Sequence, residues 1–272
     1  MTVYLGTNPV GVTSVIYAQE AARYNVPYDI FLNRVDENGL YTRDFSSFGF
    51  VGTGIKDLGQ SAFSGMFKAK AITTLSFPDL TAISNASALY EVCQECTVTS
   101  AAFPSLTTIS GERALWYGFY GCSGLSSIDF HSLQTITNKE TFASTFFNCT
   151  NLRSISFDAL ETIGTSSSSN TNYYTFGNTF NGCTSLTSVS FPVLTSLLAR
   201  DIFNGTFNGC TNLTSISFPS LTTLVNNFSF GSLGSSYITE IHFKASARTA
   251  IENQSQYSSK FGCSNATIYF DL

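Results

Sequence analysis

The stretch Phe207–Leu224 reads FNGCTNLTSISFPSLTTL, and nearly the same residues occupy Phe180–Leu197 as FNGCTSLTSVSFPVLTSL. Looser copies extend back to about residue 50 and forward to the C-terminus. A chain that repeats at a nearly constant period is built from stacked copies of one supersecondary unit. The sequence therefore predicts an elongated repeat domain.

The phenylalanine of each SFP-like motif marks the period, and we call it the marker. Markers occur at Phe77, Phe103, Phe130, Phe157, Phe191, Phe218, Phe243 and Phe270. Successive markers are 26, 27, 27, 34, 27, 25 and 27 residues apart, and the longest interval holds an insertion within 165–174. Phe50 lies 27 residues before Phe77, which indicates a degenerate first repeat.

Apolar residues keep fixed distances from each marker, and serine or threonine fills most positions between them. Around Phe218 these apolar residues are Leu213, Ile216, Leu221 and Leu224. A period of two around the marker indicates a strand with one buried face. Proline directly follows four of the markers, where its missing N–H ends lateral pairing: Pro78, Pro104, Pro192 and Pro219. Each repeat is therefore predicted as a strand, a bend, a second extended piece and a return turn.

A cysteine occupies one constant position in the repeats: Cys96, Cys122, Cys149, Cys183, Cys210 and Cys263. Such position-locked cysteines are typical of small core residues. Rungs about 4.8 Å apart would bring neighbouring Cα atoms within disulfide range. Stacked side chains point in the same direction, however, so we expect free thiols rather than a chain of disulfides. The F-x-G-C-T piece around each cysteine predicts a tight helical turn capped by Thr or Ser.

The repeats define three regions of the chain. Residues 1–46 do not fit the period and predict an N-terminal cap or attachment module, with short strands at Thr2–Leu5 and Val12–Tyr17. Repeats occupy 47–228, and a C-terminal cap with the last rungs occupies 229–272.

The C-terminal region contains one helical pattern. Ala247, Ala250 and Ile251 have the spacing of one apolar helix face. This spacing predicts an amphipathic helix of about ten residues within Lys244–Asn253, with Ser246 as its N-cap. We expect the helix to cover the last turn of the array, because the terminal rungs of such arrays need capping.

The pattern Leu213-x-x-Ile216-x-Phe218-Pro219-x-Leu221-Thr222-x-Leu224, with the preceding Phe207-x-Gly209-Cys210-Thr211, resembles the BspA-type leucine-rich repeats over about residues 50 to 270. The resemblance implies a leucine-rich-repeat solenoid of stacked short parallel β-strands with short helical turns, used mostly for protein recognition and adhesion at microbial surfaces. Three positions depart from the pattern: His131 and Asp158 replace proline, and Cys93 replaces the turn aromatic. The opening MTVYLGTNPVGV weakly resembles the start of some phage tail-associated proteins.

Composition excludes several functional classes. Charged residues make up 11% of the chain, and the net charge of −5 argues against a nucleic-acid partner, which needs a basic face. No apolar run is long enough for a membrane span. The N-terminus has no basic segment followed by an apolar one, so no signal peptide is seen. These features predict a cytoplasmic or virion- or prophage-associated chain, or one that reaches the cell surface by a non-classical route.

The sequence holds little that could carry catalysis. His131 and His242 are the two histidines, and both fall at predicted surface positions. Cys93 and Cys96 have CxxC spacing, but a zinc site needs further ligands at a matching spacing and none is found. No phosphate loop, nucleophile elbow or HExxH motif occurs. We therefore expect no enzyme and no cofactor or metal, with a hydrolase-like activity as a remote alternative.

Candidate binding residues lie at predicted surface positions. One outward column lies just before the markers and includes Ser76, Asp129, Ser156, Ser190, Ser217 and His242. Tyr173 and Tyr174 in the insertion, and Trp116 with Tyr117 before a turn, are further candidates because exposed aromatics are frequent recognition anchors. The alternative is that Ser and Thr simply suit the solvent side of strands, and that the aromatics fold back onto the core. The column or the inserted loop would bind a protein or a glycan in a recognition or adhesion module; a structural tail protein of a phage or prophage is the alternative.

Overall fold

A computed structural model of the protein describes residues 48–52, 54–69, 71–165, 174–225 and 228–271. The module predicted for 1–46, its two strands, Tyr173 and most of the insertion lie outside the described residues. The described chain is a parallel β-solenoid, as the repeat pattern predicted.

Two parallel sheets form two sides of the solenoid. The first sheet contains β1 (Phe48–Val51), β2 (Ile72–Ser76), β4 (Ser100–Ala102), β6 (Ser127–Asp129), β8 (Ser154–Ser156), β10 (Ser188–Ser190), β12 (Ser215–Phe218), β14 (Glu240–Phe243) and β15 (Thr267–Phe270). The second contains β3 (Ala82–Ile83), β5 (Thr108–Ile109), β7 (Thr135–Ile136), β9 (Thr162–Gly164), β11 (Ser196–Leu198) and β13 (Thr223–Leu224).

Strands of successive rungs pair at equivalent repeat positions. In the second sheet the pairing runs unbroken from β3 to β13. The first sheet is paired in two sections, β1 to β6 and β8 to β15. β1 pairs with β2 in parallel and places Phe50 opposite Leu75, so the degenerate first rung is real but shifted by two residues from the marker register.

Ladders of stacked aromatic rings fill the core of the solenoid. The marker rings stack nearly parallel, with 5.0 Å between the centroids of Phe103 and Phe130 and 5.2 Å between those of Phe157 and Phe191. A second ladder contains the turn aromatics Phe119, Phe146, Phe180 and Phe207. A third, which the sequence did not predict, contains Phe142, Phe176, Phe203 and Phe230, and packs edge-on against the marker rings.

The third side of each rung is a run of tight turns, which we call the turn ribbon (61–69, 87–96, 113–122, 140–149, 174–183 and 201–210). Bonds within a rung alternate with bonds to the next rung: Val92 N–H donates to the Leu89 carbonyl (3.2 Å), and Cys93 N–H donates to the Gly118 carbonyl (2.7 Å). About every fourth residue has a positive φ, as at Glu91 (51°). The predicted helical turns are therefore single i to i−3 turns separated by left-handed residues.

The cysteine ladder lies along the inner edge of the turn ribbon. All seven cysteines are free and buried. Five of the thiols donate to carbonyls of the previous rung, as from Cys122 to Cys93 (2.8 Å) and from Cys183 to Phe146 (3.0 Å). Thr211, expected to cap its own turn, also donates to the previous rung, at the Thr184 carbonyl. These polar atoms therefore tie rungs together.

The C-terminal cap differs from the predicted helix in length and in capping. A 3₁₀ segment at Ala245–Ala247 leads into α1 (Arg248–Glu252), so the α-helix is shorter than expected. Ala247 occupies the N-cap position without a side-chain capping bond, and the prediction of Ser246 is wrong because the chain already turns in the 3₁₀ segment. Helix α1 packs against β13, the last strand of the second sheet, and its Ile251 is buried.

We expect Phe157→Ala to lower the free energy of unfolding by about 3–5 kcal/mol, because it opens a cavity in the marker ladder. Phe157 is fully buried and contacts the rings of Phe142, Phe176 and Phe191. Urea unfolding followed by circular dichroism measures the loss. Ser154→Ala, on the exposed face of the same rung, should change stability by less than about 0.5 kcal/mol. A Phe157→Ala cost below about 1 kcal/mol would contradict the ladder as the core.

Stability should fall as pH rises from about 8.5, the thiol pKa of an unfolded chain, because burial raises the pKa of Cys122 and of Cys210 to about 12. Above the unfolded pKa only the unfolded chain loses these protons, so each thiol contributes a slope of about 1.4 kcal/mol per pH unit. Unfolding titrations between pH 8 and 11 should show a shallower decline for the Cys122→Ala, Cys210→Ala double variant than for the parent. Parallel curves would contradict this prediction, because they would mean that the thiol pKa values are the same in the folded and the unfolded chain.

Candidate functional site

The predicted outward column exists on the first sheet. Sheet register places Ser156 beside Ser190, Ser190 beside Ser217, and Ser217 beside His242. Ser190 is exposed, and Ser76, Asp129, Ser156, Ser217 and His242 are partly exposed. The column is thus continuous over the C-terminal section of this sheet.

Polar contacts on the column are made mostly within the chain itself. The Asp129 carboxylate accepts from the His131 backbone N–H (2.9 Å) and lies 2.7 Å from its ring Nδ1. The Ser156 hydroxyl donates to the carboxylate of Asp158. These groups form a shallow polar face without a pocket-like arrangement of acid, base and nucleophile.

His242 is the other polar centre of this column. Its ring lies 3.1 Å from an Asp271 oxygen and 3.5 Å from a Glu240 oxygen, and it stacks on Tyr269 with 4.7 Å between ring centroids. Across the described ranges, no group of three His, Cys, Asp or Glu residues could hold a metal ion.

Trp116 belongs to a cluster of rings on the outer surface of the turn ribbon. Tyr90, Trp116, Tyr117, Tyr120 and Phe147 come from three consecutive rungs, and each is half-buried. Neighbouring centroids are 5.0–6.4 Å apart, and every member contacts at least one other. We call these five residues the aromatic patch. The tight turns between left-handed residues place their side chains on the outside of the solenoid.

Four rings of the aromatic patch stack face to face in two pairs. Trp116 stacks on Tyr117 (5.0 Å, 22° between planes), and Tyr120 stacks on Phe147 (5.0 Å, 14°). The Arg113 guanidinium lies 4.7 Å from the Trp116 centroid and occupies ring face as well. Each stacked ring therefore uses at least one of its faces within the patch.

Ion pairs surround the aromatic patch. Lys68 bonds to Glu91 (2.7 Å), Arg113 to Glu140 (2.6 Å), and Lys139 to Glu112 (3.1 Å). The hydrogen bond to Glu140 raises the pKa of Arg113.

One of these carboxylates also touches a ring of the patch. Burial opposes ionisation of Glu91, but hydrogen bonds from Lys68 and Tyr90 hold the pKa of Glu91 below its usual value. The same bond to Glu91 raises the pKa of Tyr90. Glu95 is exposed and has no ion-pair partner among the residues that the structure describes.

Tyr174 lies at a separate exposed corner of the later rungs. Its ring is exposed, as are Val225 and Phe228, and the Arg200 guanidinium lies 4.7 Å from the Phe228 centroid. The sequence identified Tyr174 but not Phe228. This corner, the serine column and the aromatic patch occupy different parts of the surface, so the structure does not bring the predicted residues into one site.

Three members of the aromatic patch, Tyr90, Tyr120 and Phe147, were not among the predicted candidates. A usable signal lies two residues before the ladder cysteine, where Tyr120 and Phe147 stand in two adjacent repeats and Asn181 and Asn208 in the next two. Aromatic residues at a position that is otherwise polar indicate an exposed cluster once the ribbon's outward positions are known.

The match to a protein-family model agrees with the fold. The model of the BspA type leucine rich repeat region matches residues 67–178 and 176–268, in six copies. The crystal structure of the T. pallidum leucine rich repeat protein is similar at 16% identity and a TM-score of 0.39, covering 91% of this chain and 82% of that one. The pneumococcal vaccine antigen PcpA is similar at 16% identity and a TM-score of 0.21, covering 88% and 82%.

Among curated proteins, none matches this chain. Within the described residues, no helix has the length and apolar character needed to cross a membrane. The family model covers well over half of the sequence, and the parallel solenoid agrees with it. The chain belongs to the BspA-type leucine-rich repeat family.

Proposed function

We propose that this chain is a non-enzymatic recognition module that binds a protein partner through the aromatic patch. The observation that carries the proposal is the cluster of five half-buried rings on three consecutive rungs. Trp, Tyr and Arg dominate interface hot spots. Rings already held by stacking lose little rotamer entropy on binding. Membership of a repeat family used for binding supports the same conclusion.

The ring arrangement favours a protein over a glycan as the partner. A sugar ring stacks on the open face of an aromatic side chain. In the patch, the face of Trp116 is used by Tyr117 and Arg113, and Tyr120 and Phe147 cover each other. A protein surface can instead pack against ring edges and bond to hydroxyl and indole groups. Adhesion and a phage-particle role stay predictions.

The serine column offers weaker grounds for a docking surface. Its side chains are small, and small polar side chains rarely supply binding hot spots. Threonines that directly precede the strands of this sheet use their hydroxyls within the scaffold, as from Thr187 to the Arg153 carbonyl (3.0 Å) and from Thr239 to the Thr214 carbonyl (3.2 Å). Solvent-side strand packing accounts for these residues.

We expect Trp116→Ala to weaken partner binding by roughly 10- to 1,000-fold, as truncation of a hot spot does. Partners would be selected from a displayed library of natural protein fragments against the intact chain, and their affinities measured by surface plasmon resonance. Asn181→Ala is the matched control, because it changes an outward ribbon residue outside the patch.

Ser190→Arg tests the competing surface in the same assay. It places a large charged side chain in the centre of the serine column and should leave binding unchanged. Loss of binding in Ser190→Arg with full binding by Trp116→Ala would move the docking surface to the first sheet and contradict the proposal.

A further inference from the structure

We propose that the segment recognised by the aromatic patch is a proline-rich stretch in the polyproline II conformation that carries a basic residue. This inference rests on the proposed function and names the chemistry of its partner. It comes from three features of the patch: its hydrogen-bond donors, the bonding of the backbone beneath it, and its unbalanced charge.

The polar groups of the patch rings can all donate hydrogen bonds. Within the described part of the chain, the Trp116 indole N–H and the hydroxyls of Tyr117 and Tyr120 have no acceptor, whereas the Tyr90 hydroxyl bonds to Glu91. Aromatic ring edges also carry partial positive charge. The patch therefore presents three unpaired donors together with positive ring edges, and a segment rich in free acceptors matches them.

A polyproline II segment has this property. It forms no internal hydrogen bonds, so its carbonyls remain available, and its prolines have no N–H that would need an acceptor. Aromatic-lined surfaces bind such segments, and the preformed helix loses little entropy on binding. An α-helix uses most of its carbonyls internally and offers the donors of the patch much less.

An added β-strand would need open backbone groups beneath the patch. These groups are already used between rungs: Glu91 N–H donates to the Trp116 carbonyl (3.0 Å), and Glu95 N–H donates to the Tyr120 carbonyl (2.7 Å). The backbone beneath the patch therefore offers no open edge with which an added β-strand could pair. Recognition must act through side chains, as it does for polyproline II ligands.

The charge at the patch selects a basic residue. Three of the surrounding acids, Glu91, Glu112 and Glu140, are balanced by Lys68, Lys139 and Arg113. Glu95 is the acid left over, and its backbone bond to Tyr120 places it at the patch border. An arginine or lysine of the bound segment would pair with it.

Trp116 is the chain's one tryptophan, so its emission reports directly on the patch. We expect a short synthetic peptide rich in proline with one arginine to shift this emission saturably. Tyr120→Phe, which removes one donor and keeps the ring, should weaken binding by roughly 2- to 12-fold. Asn181→Ala should bind like the parent.

The arginine and the prolines are tested separately in the same titration. Glu95→Gln should weaken binding and reduce its salt dependence, because it removes the pairing charge. A peptide with its prolines replaced by alanine should not bind. Equal binding of the alanine peptide, or no emission change with the proline peptide, overturns the inference. If library-selected partners still depend on Trp116 in that event, the proposed function stands and only the polyproline assignment fails.

Discussion

Backbone hydrogen bonding between consecutive rungs is the constraint on which the rest of this structure depends. It operates on all three sides, through two parallel sheets and through alternate amides of the turn ribbon. The ribbon can take part because left-handed residues at about every fourth position turn its amides toward the next rung. Equivalent side chains then stand one rung apart and stack, which produces the marker ladder and the buried row of thiols.

The same stacking determines how outward residues combine into surface patches. Outward positions of neighbouring rungs also lie side by side, so similar residues in adjacent repeats merge into one patch. Tyr120 and Phe147 do so, and at the same position Asn181 and Asn208 extend a polar surface. Core positions barely vary, because each must fit the rung before and after it. Recognition is therefore carried by outward positions, where one repeat can depart from the others without disturbing the stack.

The sequence predicted much of the fold because strand periodicity and constant spacing are local signals. Marker strands, second extended pieces and the buried cysteine positions all follow from them. The ribbon could not be predicted, because left-handed conformations at Arg113 and Tyr117 are imposed by rung-to-rung bonding against the usual preference of such residues. For the same reason the outward ribbon positions were unknown, and Tyr90, Tyr120 and Phe147 were missed. Ser246 was predicted as the N-cap because the spacing of apolar residues does not show whether a helical segment begins with a 3₁₀ turn or an α turn.

We infer that recognition uses the turn ribbon and not the strand face. Hydroxyl-radical footprinting with and without a selected partner tests it on side chains directly. We expect Trp116, Tyr117 and Tyr120 to lose reactivity on binding, while Tyr237 and Tyr269, exposed near the C-terminal end, keep theirs. Protection of Tyr269 on the first sheet, with the three ribbon aromatics unchanged, would contradict it.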